Sequence, residues 1–541
     1  MAPRVPLTLS RRTLLATLPA AALIGCGRKS SSPTATLLRG NGPEPDSLDP
    51  HRARTMESMV VLRDLFECLT RLDKNAAPAP AGAKSWTVSD DGLVYTFKLR
   101  ANAHWSNGDA VVAEDFAAGL RRLVDPATAS QYAQVVDIIA NANDIVTGKR
   151  PPAELGVATP DDSTLVITLA TPSPYLPGLL AHPSTGPLHR ASLAKLGDRF
   201  ARPGDQVSNG AFVLKEWLQG SYIRVERNRR YWNDAATKLD AVKYLQIPDE
   251  NAELRAYRAG ELHCTAVVPR GQFDWIKQNL ATELHVAPQL STYYYGFNLD
   301  RPLFGKNPDL RRALSMVIDR ERLANAVLRV GELPAYGWVP PGVFNYSPQA
   351  FDYAREPMLE RIAAAQALLA KSGYTRDNPL EFELRYNTGE VHEKLAVAIA
   401  SMWKESLGVV AHLAGVEFKS LIQDIDRREV DVYRLSWIGD YNDPYTFLQY
   451  LKGDFGINLP HYKSATYDGL LADAARQVEA AKRRELLQKA EQTMLADHPL
   501  IPLYFYVNKH LVKPEVEGWY DNVMNYVYSQ DLAIAGATRS I

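Results

Sequence analysis

Residues 380–418 read LEFELRYNTGEVHEKLAVAIASMWKESLGVVAHLAGVEF. Leu380, Phe382, Leu384 and Tyr386 alternate with polar neighbours, the period-two pattern of a strand. HEKLAVAIASMWKESLG then sets Leu395, Ile399 and Met402 on one helical face, and VVAHLAGVEF reads as a second strand. SLIQDIDRRE (420–429) is helical and VDVYRLSWI (430–438) is a third strand. Upstream, REPMLERIAAAQALLAKSGY (355–374) places Met358, Ile362, Ala365 and Leu369 on one face, with Pro357 near its start and Gly373 at its end. Strand, helix, strand, helix, strand predicts a parallel sheet covered by helices. Ligands of such sheets sit beyond the carboxyl ends of the strands. Immediately past the third strand stands RLSWIGDYNDPY (434–445), where Asp440 lies among apolar residues.

The first half of the chain follows a different pattern. Tyr95, Phe97 and Leu99 alternate within WTVSDDGLVYTFKLRANAHWSNGDAV, and Leu165, Ile167 and Leu169 do so within TLVITLATP. AEDFAAGLRRLVDP between them is a helix stopped by Pro126, and NGAFVLKEWLQGSYIRVERN reads as a hairpin around Gln219 and Gly220. This half is sheet-rich α+β. The whole chain of 541 residues exceeds what one core usually serves, so two or three structural units are expected.

Charged residues are 23% of the chain and hydrophobic ones 46%, with 61 basic against 62 acidic side chains, an ordinary globular composition. A balanced charge with no basic stripe longer than RNRR (227–230) argues against a nucleic-acid partner. At the N-terminus Arg4, Arg11 and Arg12 precede the apolar stretch Leu14–Ile24, which meets LIGCG and then KSSSPTAT. The stretch is too short to span a bilayer and reads as an export signal over residues 1–25. L-x-G-C resembles a bacterial lipobox, in which Cys26 takes the lipid and residues 26–36 form a tether; an ordinary cleaved signal is the alternative. SRRTLL (10–15) also resembles a twin-arginine signal, with Leu14 in place of the usual Phe. The remaining cysteines, Cys68 and Cys264, have no metal or redox spacing and are either a disulfide or two buried thiols.

No G-x-S-x-G, H-E-x-x-H, C-x-x-C or G-x-x-x-x-G-K motif occurs, and the 11 histidines are scattered, so no catalytic role and no cofactor is expected. What the chain does resemble, over essentially its whole mature length, is the family-5 extracellular solute-binding proteins, and within them the oligopeptide-binding branch of bacterial ABC importers. The stretches that carry the resemblance include EPDSLDPHRA (44–53), LFECL (65–69), RRLVDPATASQYA (121–133), STYYYGFNLDRPLF (291–304), LRRALSMVIDRERL (310–323), GELPAYGWVPPG (331–342), DYNDPYTFL (440–448) and YFYVNKHLVKP (504–514).

The resemblance implies an α/β, two-lobed periplasmic-binding-protein type II-like fold with an extra α+β domain and a discontinuous chain. Residues 37–56, 185–290 and 508–541 would form the core of lobe 1, residues 57–184 its extra domain, and residues 291–507 lobe 2. It implies a monomer that captures extended peptides of a few residues and hands them to the transmembrane subunits of an ABC permease. The expected location is the periplasm or the outer face of the cell membrane, anchored through a lipid on Cys26. Dedicated ligands on the same fold (a dipeptide, a cell-wall peptide, a nickel chelate or haem) are alternatives, with a peptidase or a periplasmic chaperone further off.

In that branch an aspartate after W-x-x-D pairs with the peptide's α-ammonium, here Asp440 after Trp437. A carboxylate enclosed with an ammonium offsets the water both lose. Trp437 would wall a side-chain pocket while the backbone of Ser436 and Ile438 bonds the peptide as an added strand. Glu44 and Tyr132 match cleft positions of the opposite lobe. Arg434, His392 and, after a one-residue gap, Arg427 match positions near the peptide carboxylate, and Tyr506 is a further cleft candidate. Each has a plainer reading: turn cap, core aromatic, solvated acid, snorkelling strand residue, helix start. Two departures stand out: Cys68 where relatives carry Gly, and Ile438 where an enteric relative has a disulfide cysteine.

Overall fold

A computed structural model describes residues 35–537. The signal segment and Cys26 lie outside the described residues, so the lipobox reading does too. The expected tether stops short of residue 36, because Ala35 is buried and Thr36–Gly40 already form a strand.

Lobe 1 is built on a four-stranded sheet in which Thr36–Gly40 runs parallel to Ala241–Leu245, followed by antiparallel Tyr222–Arg227 and Phe212–Leu218. The hairpin joining the last two turns where expected, with Gly220 at φ +69°, a backbone region glycine enters at little cost. The extra domain is a four-stranded antiparallel sheet ordered Ala83–Val88, Val94–Leu99, Thr164–Thr168, Val157–Asp161, with helix Ala113–Val124 against it. Tyr95, Phe97, Leu99, Leu165, Ile167 and Leu169 are all buried, as their alternation requires. The helix starts where Asp115 accepts the Val112 N–H at 3.1 Å and the Trp105 indole N–H at 3.0 Å.

Lobe 2 carries a six-stranded sheet ordered Leu333–Pro334, Leu500–Leu511, Leu284–Phe297, Val432–Ile438, Glu381–Asn387, Val410–Val416. The three strands read from the opening sequence are mutually parallel, as expected. The sheet as a whole is mixed, because Leu284–Phe297 runs antiparallel to both Val432–Ile438 and Leu500–Leu511. Those two long strands enter from lobe 1, where Leu511 N–H donates to Thr265 Oγ1 at 3.0 Å, and their register slips between Pro288 and Thr292. On helix Met358–Lys371 the buried face is Ala365 and Leu369, but Met358 and Ile362 are only half-buried. Arg361 takes the space instead, since its Nη1 donates to the Tyr336 hydroxyl at 3.3 Å. Cys68 and Cys264 are two separate buried thiols.

Candidate functional site

The strand Val432–Ile438 organises the site. One side is paired along its whole length with Ser291–Phe297. On the other side only Val432 and Tyr433 have partners, Leu384 and Arg385, so the edge from Arg434 onward is open. Its polarity follows from one bond. Gly439 N–H donates to Leu290 O at 2.9 Å, so in this antiparallel register the odd-numbered residues bond inward. Arg434, Ser436 and Ile438 therefore turn their N–H and C=O groups to the free edge.

Past the end of that strand, Thr446 fixes the turn. Its Oγ1 accepts the Asp440 N–H at 3.1 Å and its carbonyl accepts the Trp437 indole N–H at 2.8 Å. The Trp437 ring packs against Tyr450 at 4.8 Å and is half-buried, so it is partly core and partly wall. The Asp440 carboxylate caps nothing and meets no basic side chain among the described residues. Although it opens to solvent, the surrounding protein, together with the negative charge of Asp137, raises its pKa above the usual aspartate range. Asp137 belongs to the extra domain, as does Tyr132, whose ring packs on His182 at 4.7 Å and whose hydroxyl donates to Arg54 O at 3.2 Å.

At the other end of the free edge stands Arg434, a buried guanidinium without a carboxylate. Nη1 donates to Asn387 Oδ1 at 2.8 Å and Nη2 to the Tyr506 hydroxyl at 3.2 Å. The Tyr293 ring lies 4.3 Å below, and Nε has no hydrogen-bond partner among the described residues. His392 joins this group through Nδ1, 3.2 Å from the Tyr293 hydroxyl. Burial, then the charges of Arg434 and Arg270, lower its pKa to about 4, so the imidazole is neutral at neutral pH.

Asp440, Trp437, Ser436, Ile438, Arg434, His392 and Tyr506 thus lie along one strand edge, with Tyr132 on the facing lobe. Two expected residues do not join them. Arg427 follows the helix Phe418–Asp426, which returns from the carboxyl to the amino ends of the parallel strands, and it pairs there with Asp424 at 2.5 Å and Glu429 at 3.1 Å. Glu44 has both oxygens engaged in lobe 1, accepting from Trp217 Nε1 at 2.5 Å and from Gly220 N at 2.7 Å. Thr446, Asn387, Tyr293 and Asp137 were not evident from the sequence. Thr446, Asn387 and Asp137 each lie within six residues of a candidate, Asp440, His392 and Tyr132 respectively, whereas Tyr293 is distant from all of them.

A strand edge with free backbone groups, an acid at one end with no basic partner and a guanidinium at the other with no carboxylate partner among the described residues, has the chemistry that a cleft protein holding an extended zwitterion needs. The family is more particular. The model for "Bacterial extracellular solute-binding proteins, family 5 Middle" matches residues 77–458, and the chain belongs to that family. It is 41% identical over 490 residues to the periplasmic oligopeptide-binding protein OppA of Escherichia coli, covering 90% of this chain and 89% of the relative. Among solved structures it superposes with TM-score 0.89 on the unliganded open form of the murein tripeptide binding protein MppA, at 35% identity, covering 93% of this chain and 98% of that one. Against Haemophilus influenzae OppA in complex with RPPGFSPFR the TM-score is 0.70 at 36% identity, covering 93% and 99%. At nearly equal identity, the higher score for the open form marks the lobe disposition here as open.

Proposed function

We propose that this chain is the substrate-binding component of an ABC-type peptide importer, exported to the periplasm, tethered through a lipid on Cys26, and performing no chemistry on its ligand. The observation that carries the reading is the open edge of Val432–Ile438 between Asp440 and Arg434. An extended peptide adds there as a strand, its backbone bonded by Ser436 and Ile438 whatever its side chains. Its α-ammonium reaches Asp440 and its carboxylate reaches Arg434, so it runs antiparallel to the strand. The six steps from Arg434 to Asp440 span about 20 Å. With the reach of both side chains this suits roughly three to five residues. Tyr132 and Trp437 close over the ligand from the two lobes.

The single test is Asp440→Asn in calorimetry with a short peptide. Breaking an enclosed ion pair costs about 3–5 kcal/mol, on the order of a hundredfold or more in affinity, with the fold intact. Unchanged affinity overturns the amine-anchor role. Native mass spectrometry of the protein from cells separates the broad binder, a ladder of peptide masses, from a dedicated one, a single mass.

A further inference from the structure

A second charged group that the reading above leaves unused lies where lobe 1 meets the joining strand Leu500–Leu511, and its Arg270 acts on the His392 beside Arg434. Glu332 has a fully buried side chain whose Oε1 accepts from Arg270 Nη2 at 3.0 Å and from Lys509 Nζ at 3.3 Å, while its Oε2 has no hydrogen-bond partner among the described residues. One carboxylate thus serves two cations. Arg270 comes from lobe 1 and keeps nearly half of its side chain exposed, whereas Lys509 sits on the joining strand Leu500–Leu511. Both line a cavity of about 350 Å³ with Gln289, Asn508 and His510. Glu250 stands on the rim of the same cavity and is exposed.

Arg270 also borders a second cavity of about 240 Å³ lined by Glu390, Val391 and Lys394, residues of the helix that carries His392. Glu390 and Lys394 pair with each other at 2.6 Å. Arg270 is therefore the lobe 1 cation that faces the Arg434 end of the cleft.

The geometry points to Arg270 and Lys509 forming a second carboxylate seat, so that the cleft prefers peptides bringing two negative groups to their carboxyl end. The first carboxylate meets Arg434 on lobe 2 and the second meets the Arg270 guanidinium and the Lys509 ammonium, which keep donors beyond the two that Glu332 takes up. A carboxylate placed there ties lobe 1 to lobe 2 directly. The second group comes from an acidic last side chain. This seat rests on the peptide reading given above.

Calorimetry with wild-type protein and length-matched peptides ending in Glu or Gln tests it. Wild-type protein is expected to bind the Glu peptide about tenfold more tightly. In Arg270→Gln, and independently in Lys509→Met, that ratio should fall toward one, with melting curves showing that both variants fold. A Glu-to-Gln ratio near one on wild-type protein overturns the seat. So does a preference that survives both substitutions. If neither peptide binds wild-type protein, the peptide reading itself falls and the seat falls with it.

Discussion

Asp440 is costly to the empty protein in its charged form, and that cost distinguishes the proposed binding residue from a turn cap. The pKa of Asp440 is raised, so the folded open state holds its proton above the ordinary value of about 3.9. The sign follows: ionising Asp440 destabilises the empty fold as pH rises from that value through the raised one. Asp440→Asn is therefore expected to raise the melting temperature of the unliganded protein slightly at pH 7 while weakening peptide binding; a cap would give the opposite sign. Binding needs the charged form. Peptide affinity should fall as the solution is acidified toward the raised pKa, beginning above the usual aspartate range, and should be flat in the Asn variant. His392 adds nothing to this profile near neutrality, because its pKa of about 4 keeps it uncharged. Calorimetry between about pH 8 and pH 4 checks both statements, and a step near pH 6.5 that vanishes in His392→Gln would contradict the second.

At the scale of elements, the proposed recognition falls to the open half of Val432–Ile438. Its free amides and carbonyls belong to Arg434, Ser436 and Ile438, so the ligand's backbone matters more than its side chains. Each backbone hydrogen bond is worth about 1 kcal/mol, and a buried group left unpaired costs up to about 3. N-methylating one interior amide of a bound peptide is thus expected to weaken binding by about tenfold or more, whereas exchanging the same residue's side chain should matter less. Titrating the matched peptides checks this. The hairpin at Gly220 has a different task. Glu44→Ala strips the acceptor from Trp217 and Gly220, which should lower the melting temperature while leaving peptide affinity nearly unchanged. These two elements also mark how far the sequence could be read. Alternation at Leu380–Tyr386 and Tyr95–Leu99 gave strands in the right places because side-chain direction is a local property. The antiparallel entry of Leu284–Phe297 into the sheet was not legible, since strand pairing is decided by contacts distant in the chain. Glu44 illustrates the same limit: its partners lie 173 and 176 residues away, and an acid beside a proline looks solvated until they arrive. Arg427 shows the converse, because the direction of the helix before it already places it at the amino ends of the strands, away from the cleft.

For the whole molecule the question is what holds the lobes apart and what draws them together. In the open arrangement the acids Asp440 and Asp137 come from opposite lobes with no cation between them, a mutual repulsion that closure would increase. A peptide ammonium reverses that sign, and the added strand gives lobe 1 a surface to close upon. A ligand shifts such an equilibrium only by its differential affinity for the two states, so closure has to follow the amine. Some contact between the lobes precedes binding. Tyr441, next to Asp440, stacks on Tyr175 of the extra domain at 4.4 Å, and Asn442 Nδ2 donates to Ala76 O at 2.8 Å. The turn after the binding strand is thus anchored to both lobes, and the long strands Leu284–Phe297 and Leu500–Leu511 supply the joint, with their register slip at Pro288–Thr292 as the place to bend. Small-angle scattering should show the radius of gyration falling when a free peptide saturates the protein. The N-acetylated form of that peptide, at matched occupancy, should produce little or none of that contraction. Asp137→Asn should bring the empty protein part of the way toward the compact state, because it removes one side of the repulsion without touching the strand edge. Equal contraction with both peptides would mean that backbone addition alone closes the lobes and that the acids serve affinity only.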